Sequence, residues 1–235
     1  MCAALALAVA VVWPTALDDP KEADFEAGLT DDGKGVVITG YTGTAPVVRI
    51  PAAIRGLPVR EIGGGGDGYS GAFSGNRIVA SVIIPAGVTR IGPGAFYNMP
   101  RLASVFIREG VTVIGGNAFS GTPLTGITLP KSLQTIGEGA FSGCRYLRTA
   151  TLPPDMKEIP MFMFRDCGAL TAITLPVSIT RIGVMAFQNC TNLTAVTIPG
   201  SVVTIDISPD AFSGCSKLSP ASQAALKKRG FTGSF

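Results

Sequence analysis

Five cysteines and sixteen carboxylates are the side chains of this sequence best suited to chemistry, and histidine is absent altogether. Four of the cysteines, Cys144, Cys167, Cys190 and Cys215, recur at near-constant spacing, while Cys2 stands apart. Such a series could hold a metal, form disulfides or serve as small apolar core residues. Adjacent strands lie about 4.8 Å apart, which is within the disulfide Cα separation of about 4.4–6.8 Å. However, thiols stacked in a line cannot enclose one ion tetrahedrally, and parallel side chains in a packed ladder seldom offer the disulfide dihedral. Buried free thiols acting as small apolar groups are therefore expected, and Met99 occupies the same column.

The lack of histidine removes the commonest general base and the commonest metal ligand. No base stands ready to activate the many Ser and Thr hydroxyls. Glu158, Asp166 and Asp210 fall at unrelated positions and read as solvated loop charges. The stretch GGGGDGYSG, Gly63 to Gly71, lacks the Gly-Lys-Ser/Thr ending and the strand–loop–helix setting of a phosphate-binding loop; it reads as a flexible insertion. No catalytic residue, metal or cofactor is expected, and the chain does not read as an enzyme.

The elements that carry these residues form a repeat. A Phe recurs at Phe73, Phe96, Phe119, Phe141, Phe164, Phe187 and Phe212, in steps of 22 to 25 residues. The Ile before it recurs as Ile62, Ile91, Ile114, Ile136, Ile159, Ile182 and Ile205, and a Pro closes most of the apolar runs. In Leu170 to Cys190, the residues Leu170, Ile173 and Leu175 follow strand spacing. Pro176 ends the strand because it has no N–H. Ile179 and Ile182 form a second extended piece, Gly183 allows a bend, and Ala186 with Phe187 suits a tight turn. A unit this short buries its apolar side only by stacking on copies of itself.

The pattern, as in LTGITLPKSLQTIGEGAFSGC and LTAITLPVSITRIGVMAFQNC, closely resembles the BspA-like, or treponemal-type, class of leucine-rich repeats. The resemblance implies a right-handed solenoid with parallel β-strands on its concave face and short strands, turns and 3-10 segments elsewhere. It also implies an exported protein, periplasmic, envelope-bound or surface-exposed, that works by adhesion or protein binding. Seven repeats of 22–25 residues occupy 45–215. An N-terminal cap and lead-in covers 18–44, and a helical cap follows over 216–235. There Ser219 suits an N-cap, Pro220 a first residue and Gly230 a stop, so 220–229 reads as the helix.

Residues 1–17 form an apolar, signal-like leader. Its run from Cys2 to Trp13 is shorter than the roughly 20 residues a membrane span needs and fits the core of a signal peptide, although positive residues do not precede it. It could instead pack on the fold or anchor the chain to a membrane or partner. Cys2 lacks the upstream residues of a lipidation motif. Hydrophobic residues make up 46% of the chain and charged residues 15%, which suits a packed core rather than disorder. The net charge of +3 is scattered and excludes a nucleic-acid footprint.

In repeat proteins the positions between ladder residues carry the function. One outward column reads Arg49, Ile83, Phe106, Thr128, Thr151, Thr174 and Thr197; its neighbour reads Val47, Ser81, Ser104, Gly126, Thr149, Ala172 and Ala195. Ile83 and Phe106, beside small residues such as Ala80 and Ala103, predict an apolar hollow near Arg49 that could take a protein partner, from a host or the envelope, or a small hydrophobic molecule. Their cover could also be the leader or a cap. In the fifth repeat PMFMF replaces the usual Gly-x-Gly-Ala-Phe. Met161, Phe162, Val184 and Met185 then form either an apolar strip for self-association, as in a homo-oligomer or envelope lattice, or a local repacking.

Overall fold

A computed structural model describes residues 20–235; the leader and Cys2 lie outside the described residues. The chain winds into seven turns of a parallel β-solenoid. Each turn contributes three faces. The concave strands are Val47–Arg49, Ser81–Ile84, Ser104–Ile107, Gly126–Thr128, Thr149–Thr151, Ala172–Thr174 and Ala195–Thr197. A second face is built from Leu57–Ile62, Arg90–Ile91, Val113–Ile114, Thr135–Ile136, Glu158–Ile159, Arg181–Ile182 and Asp206–Ile207. The third is the turn that carries the Phe.

Stacking aligns like residues in register, as the repeat predicts. Val48 pairs with Val82, and Val82 with Val105; Ile173 pairs with Val196. The seven Phe rings are fully or almost fully buried and form one column with centroids 5.0–5.8 Å apart. Full burial of a side chain of this size contributes about 1.5–3 kcal/mol. The Ile column holds with one correction. In the last turn it is Ile207, not Ile205, that pairs with Ile182. The final step of 25 residues includes two extra ones placed before Ile207, so Ile205 is displaced; it is buried and donates its N–H to Arg229 O.

Both ends of the core are closed. Phe25–Leu29 and Val36–Tyr41 form an antiparallel hairpin, and its second strand pairs parallel with Leu57–Ile62. Tyr41 stacks on Phe73 and Phe25 packs at a tilt on Tyr41, each at 5.2 Å, which covers the first ring. At the other end the helix spans Pro220–Lys227, two residues shorter than expected, with Ser219 Oγ accepting from Ser222 N. Val196 N donates to Ser222 Oγ at 3.1 Å, satisfying part of the last concave strand. Phe231 meets Phe212 edge-on at 5.6 Å. The glycine-rich insertion carries local hydrogen bonds. Asp67 Oδ1 accepts from Tyr69 N, Ser70 N and Ser70 Oγ, and Tyr69 packs on Tyr97 at 5.1 Å.

Turn five departs from the others. On the second face a repeating bond runs from the residue after the Ile to the Ile carbonyl one turn back: Gly92 to Ile62, Gly115 to Ile91, Gly137 to Ile114, Gly183 to Ile159 and Ser208 to Ile182, all at 2.7–3.0 Å. Turn five has Pro160 there, which carries no N–H, so Ile136 O receives no such bond. Two further bonds are missing at this joint. The carbonyls of Thr112 and Lys157 each accept two N–H groups from the next turn, whereas no N–H from turn five reaches Gln134 O. The second-face sheet ends at Thr135–Ile136 and resumes as a separate sheet at Glu158–Ile159.

Steric crowding has the same cause. At Gly92, Gly115 and Gly137 an added Cβ would collide with the backbone of the preceding turn, and at Gly183 it would lie 2.7 Å from Met161 N. The buried Pro160 ring therefore keeps turn five from closing on turn four. Ser208 carries a Cβ in the last turn and still donates to Ile182, so it is the missing N–H together with the ring that opens the joint. The widest ring spacing in the Phe column, 5.8 Å between Phe141 and Phe164, falls here.

Candidate functional site

The concave strands present their outward columns in three laddered groups, turns one to three, turns four and five, and turns six and seven. Arg49, Thr128, Thr151, Thr174 and Thr197 are exposed, Ile83 is half-buried, and Phe106 is 41% exposed. The four threonines form a continuous row of hydroxyls over turns four to seven. Alternation puts the Val and Ile residues between these columns into the core; Ile127, Ile173 and Val196 are all buried.

A hollow of about 400 Å³ lies on the C-terminal side of Phe106, lined by Ala103–Ile107, Thr125–Thr128 and Thr149. Its form follows from one large residue beside a residue without a side chain. Gly126 stands between Ser104 and Thr149 in the neighbouring column, and a Cβ on it would come within 2.9 Å of Thr149 Oγ1. The concave sheet also breaks between Ser104–Ile107 and Gly126–Thr128, so the two walls are not laddered together. On the N-terminal side Ser104 Oγ donates to Ser81 Oγ at 2.9 Å and Ser81 is buried. Gly126 was the signal in the sequence for this side of the hollow; it follows from the column but was not singled out there.

Met161, Phe162, Val184 and Met185 are adjacent and half-buried. Phe162 has φ 60° and Met185 φ 52°, the left-handed region that Gly94, Asn117 and Gly139 occupy in the same column. For bulky side chains this conformation costs on the order of 1–3 kcal/mol. The Arg165 guanidinium lies 5.6 Å from the Phe162 ring centre.

The four described cysteines are free and buried, as expected. Each Sγ donates to a Phe carbonyl one turn further back than its own Phe: Cys144 to Phe119, Cys167 to Phe141, Cys190 to Phe164 and Cys215 to Phe187, at 3.1–3.2 Å. Burial pushes the Cys144 thiol up to about 11 and Cys167 well above its ordinary value. The contact with Cys215, and then burial, raise Cys190. Raised thiols remain protonated and unreactive at neutral pH. The same column holds the buried Thr122, whose Oγ1 donates to Phe119 O at 2.7 Å.

Glu158, Asp166 and Asp210 do not converge. Glu158 faces Arg181 at 3.6 Å, and Asp166 accepts from Asn189 Nδ2 at 2.8 Å. Among the described residues no helix is long and apolar enough to cross a membrane.

With this geometry in place, comparison with known proteins is specific. The family profile for the BspA type leucine rich repeat region matches in six copies over residues 69–176 and 112–222. The crystal structure of a leucine rich repeat protein from T. pallidum is 32% identical, over 92% of this chain and 98% of that one, with a TM-score of 0.84. The pneumococcal vaccine antigen PcpA is 19% identical over 80% of this chain and 48% of its own, with a TM-score of 0.53, a likeness of fold alone. No curated protein matches. The repeat columns, the solenoid they build and the profile that recognises them agree, and the chain belongs to the BspA-type leucine-rich repeat family.

Proposed function

We propose that this protein is a non-enzymatic interaction scaffold of the cell envelope or surface, exported by its leader, and that it binds a protein partner through the concave face. The observation that carries this reading is the exposed row Thr128, Thr151, Thr174 and Thr197 beside the hollow at Phe106. Two laddered strand pairs, Gly126–Thr128 with Thr149–Thr151 and Ala172–Thr174 with Ala195–Thr197, hold these side chains in place, so little conformational entropy is lost when they are engaged. The hydroxyls offer both donors and acceptors, and the hollow offers one apolar anchor point, the combination found in binding patches with a hot spot. The absence of histidine and the scattered carboxylates support a binding role over catalysis.

A photo-crosslinking residue at Thr151, expressed in the source cells, tests the reading against the same residue at Tyr146, which is 64% exposed outside the concave strands. Adducts of one discrete mass from Thr151 and none from Tyr146 are expected. Equal labelling at the two positions, or none from any of the four threonines, would overturn it.

A further inference from the structure

The joint between turns four and five opens as a slot of about 700 Å³ on the second face, between Lys131–Ile136 and Asp155–Pro160. That volume is in the range of sites that hold ligands. One wall carries the carbonyls of Gln134 and Ile136; the other carries the N–H groups of Lys157 and Glu158. At the other joints the corresponding groups are bonded to one another, save that Ile205 N in the last turn donates to Arg229 O instead. Leu133 and Met156 are buried beneath.

The opening is preformed rather than a loosened joint. On the concave face Gly126, Ile127 and Thr128 still pair with Thr149, Ala150 and Thr151. On the Phe-bearing face Gly139 N donates to Met161 O at 2.9 Å, Phe141 N to Met163 O at 3.0 Å and Gly143 N to Arg165 O at 2.7 Å. Two faces are closed and one is held open by Pro160.

We propose that this slot is an interaction site, distinct from the concave face, and that its occupant is an extended peptide segment of another polypeptide. An extended backbone presents N–H and C=O groups along both of its edges. It is therefore the partner chemistry that supplies donors to Gln134 and Ile136 and acceptors to Lys157 and Glu158, in the manner of strand addition to an open edge. The rim bears Lys131 and Lys157 against Asp155 and Glu158, a balanced set that selects neither a polyanion nor a polycation. Recognition in the slot is by backbone, with Leu133 and Met156 favouring a small apolar side chain on the inward side.

A phage-displayed random heptapeptide library panned on the full chain, with Pro160→Gly panned in parallel, tests this. Peptides enriched on the wild type are expected to lose about tenfold or more in affinity on Pro160→Gly, which restores the donor that closes the slot. N-methylation of alternate peptide amides in the same sequences is expected to cost about tenfold per lost bond, a reading that does not depend on how the variant folds. No enrichment over the bare support, equal affinity for the two proteins, or indifference to N-methylation would each overturn the proposal. Loss of crosslinking at Thr151 would leave it untouched, so the two readings fail separately.

Discussion

Turns three and five share a plan and differ in how they close on the turn before. Turn three keeps Gly115 after Ile114, and Gly115 N donates to Ile91 O at 2.8 Å. Turn five has Pro160, loses three second-face bonds and leaves a slot. Its other departures belong to the same turn. Met163 is buried where the other turns have Ala, and Ala150 stands where they have Val or Ile. Phe162 occupies a left-handed position held by Asn117 in turn three. A solenoid therefore tolerates one poorly laddered face when its other two remain bonded, because each turn contacts its neighbours through three parallel sets of interactions.

The largest effect should come from what the two turns share. Phe141→Ala removes a fully buried ring and is expected to cost about 3–5 kcal/mol through the cavity it leaves, measured by denaturant unfolding; a loss below about 1 kcal/mol would remove the ring column from the core. Transplanting the wedge should come next. Gly183→Pro deletes the N–H that bonds Ile159 O and puts a ring against Met161. Loss of about 3 kcal/mol is expected, and a variant as stable as the wild type would refute the steric account of turn five.

The reverse change is smaller. Pro160→Gly lets three bonds form, each worth about 0.5–1.5 kcal/mol, against more freedom for the unfolded chain, worth about 0.4–1 kcal/mol. Its midpoint should rise modestly as the slot closes, and an unchanged midpoint would mean that the three bonds do not form. Smallest is a pH effect from the raised thiols of Cys144, Cys167 and Cys190; the Cys215 thiol is lowered by its contact with Cys190. The raised thiols favour the folded state's protonated form, so their contribution is complete below the ordinary thiol value of about 8.5. It is lost as pH rises towards the value of about 11 for Cys144. Cys144→Ala should flatten the fall in stability between those limits, and an unchanged slope would place the effect elsewhere.

Much of this was legible in the sequence because a ladder repeats its residue types. The Phe, Cys and concave columns follow from counting alone, and the Ser219 cap from local chemistry. Three features were not. Ile205 was misplaced because counting in the last turn does not reveal on which side of the Ile two extra residues fall. The left-handed positions of Phe162 and Met185 were hidden, since their types do not favour it and only Gly94, Asn117 and Gly139 in the column hinted at it. The slot was marked by Pro160 in a Gly column, but its meaning depended on knowing that the Gly N–H bonds the previous turn.

A single residue, Pro160, breaks the second-face ladder, which is continuous at its other joints, and amide hydrogen exchange measures this most directly. The N–H groups of Lys157 and Glu158 should exchange at near-unprotected rates in the wild type, while those of Thr180 and Arg181, which both donate to Lys157 O, stay protected. In Pro160→Gly all four should be protected. Lys157 and Glu158 protected as strongly as Thr180 and Arg181 in the wild type would contradict the account.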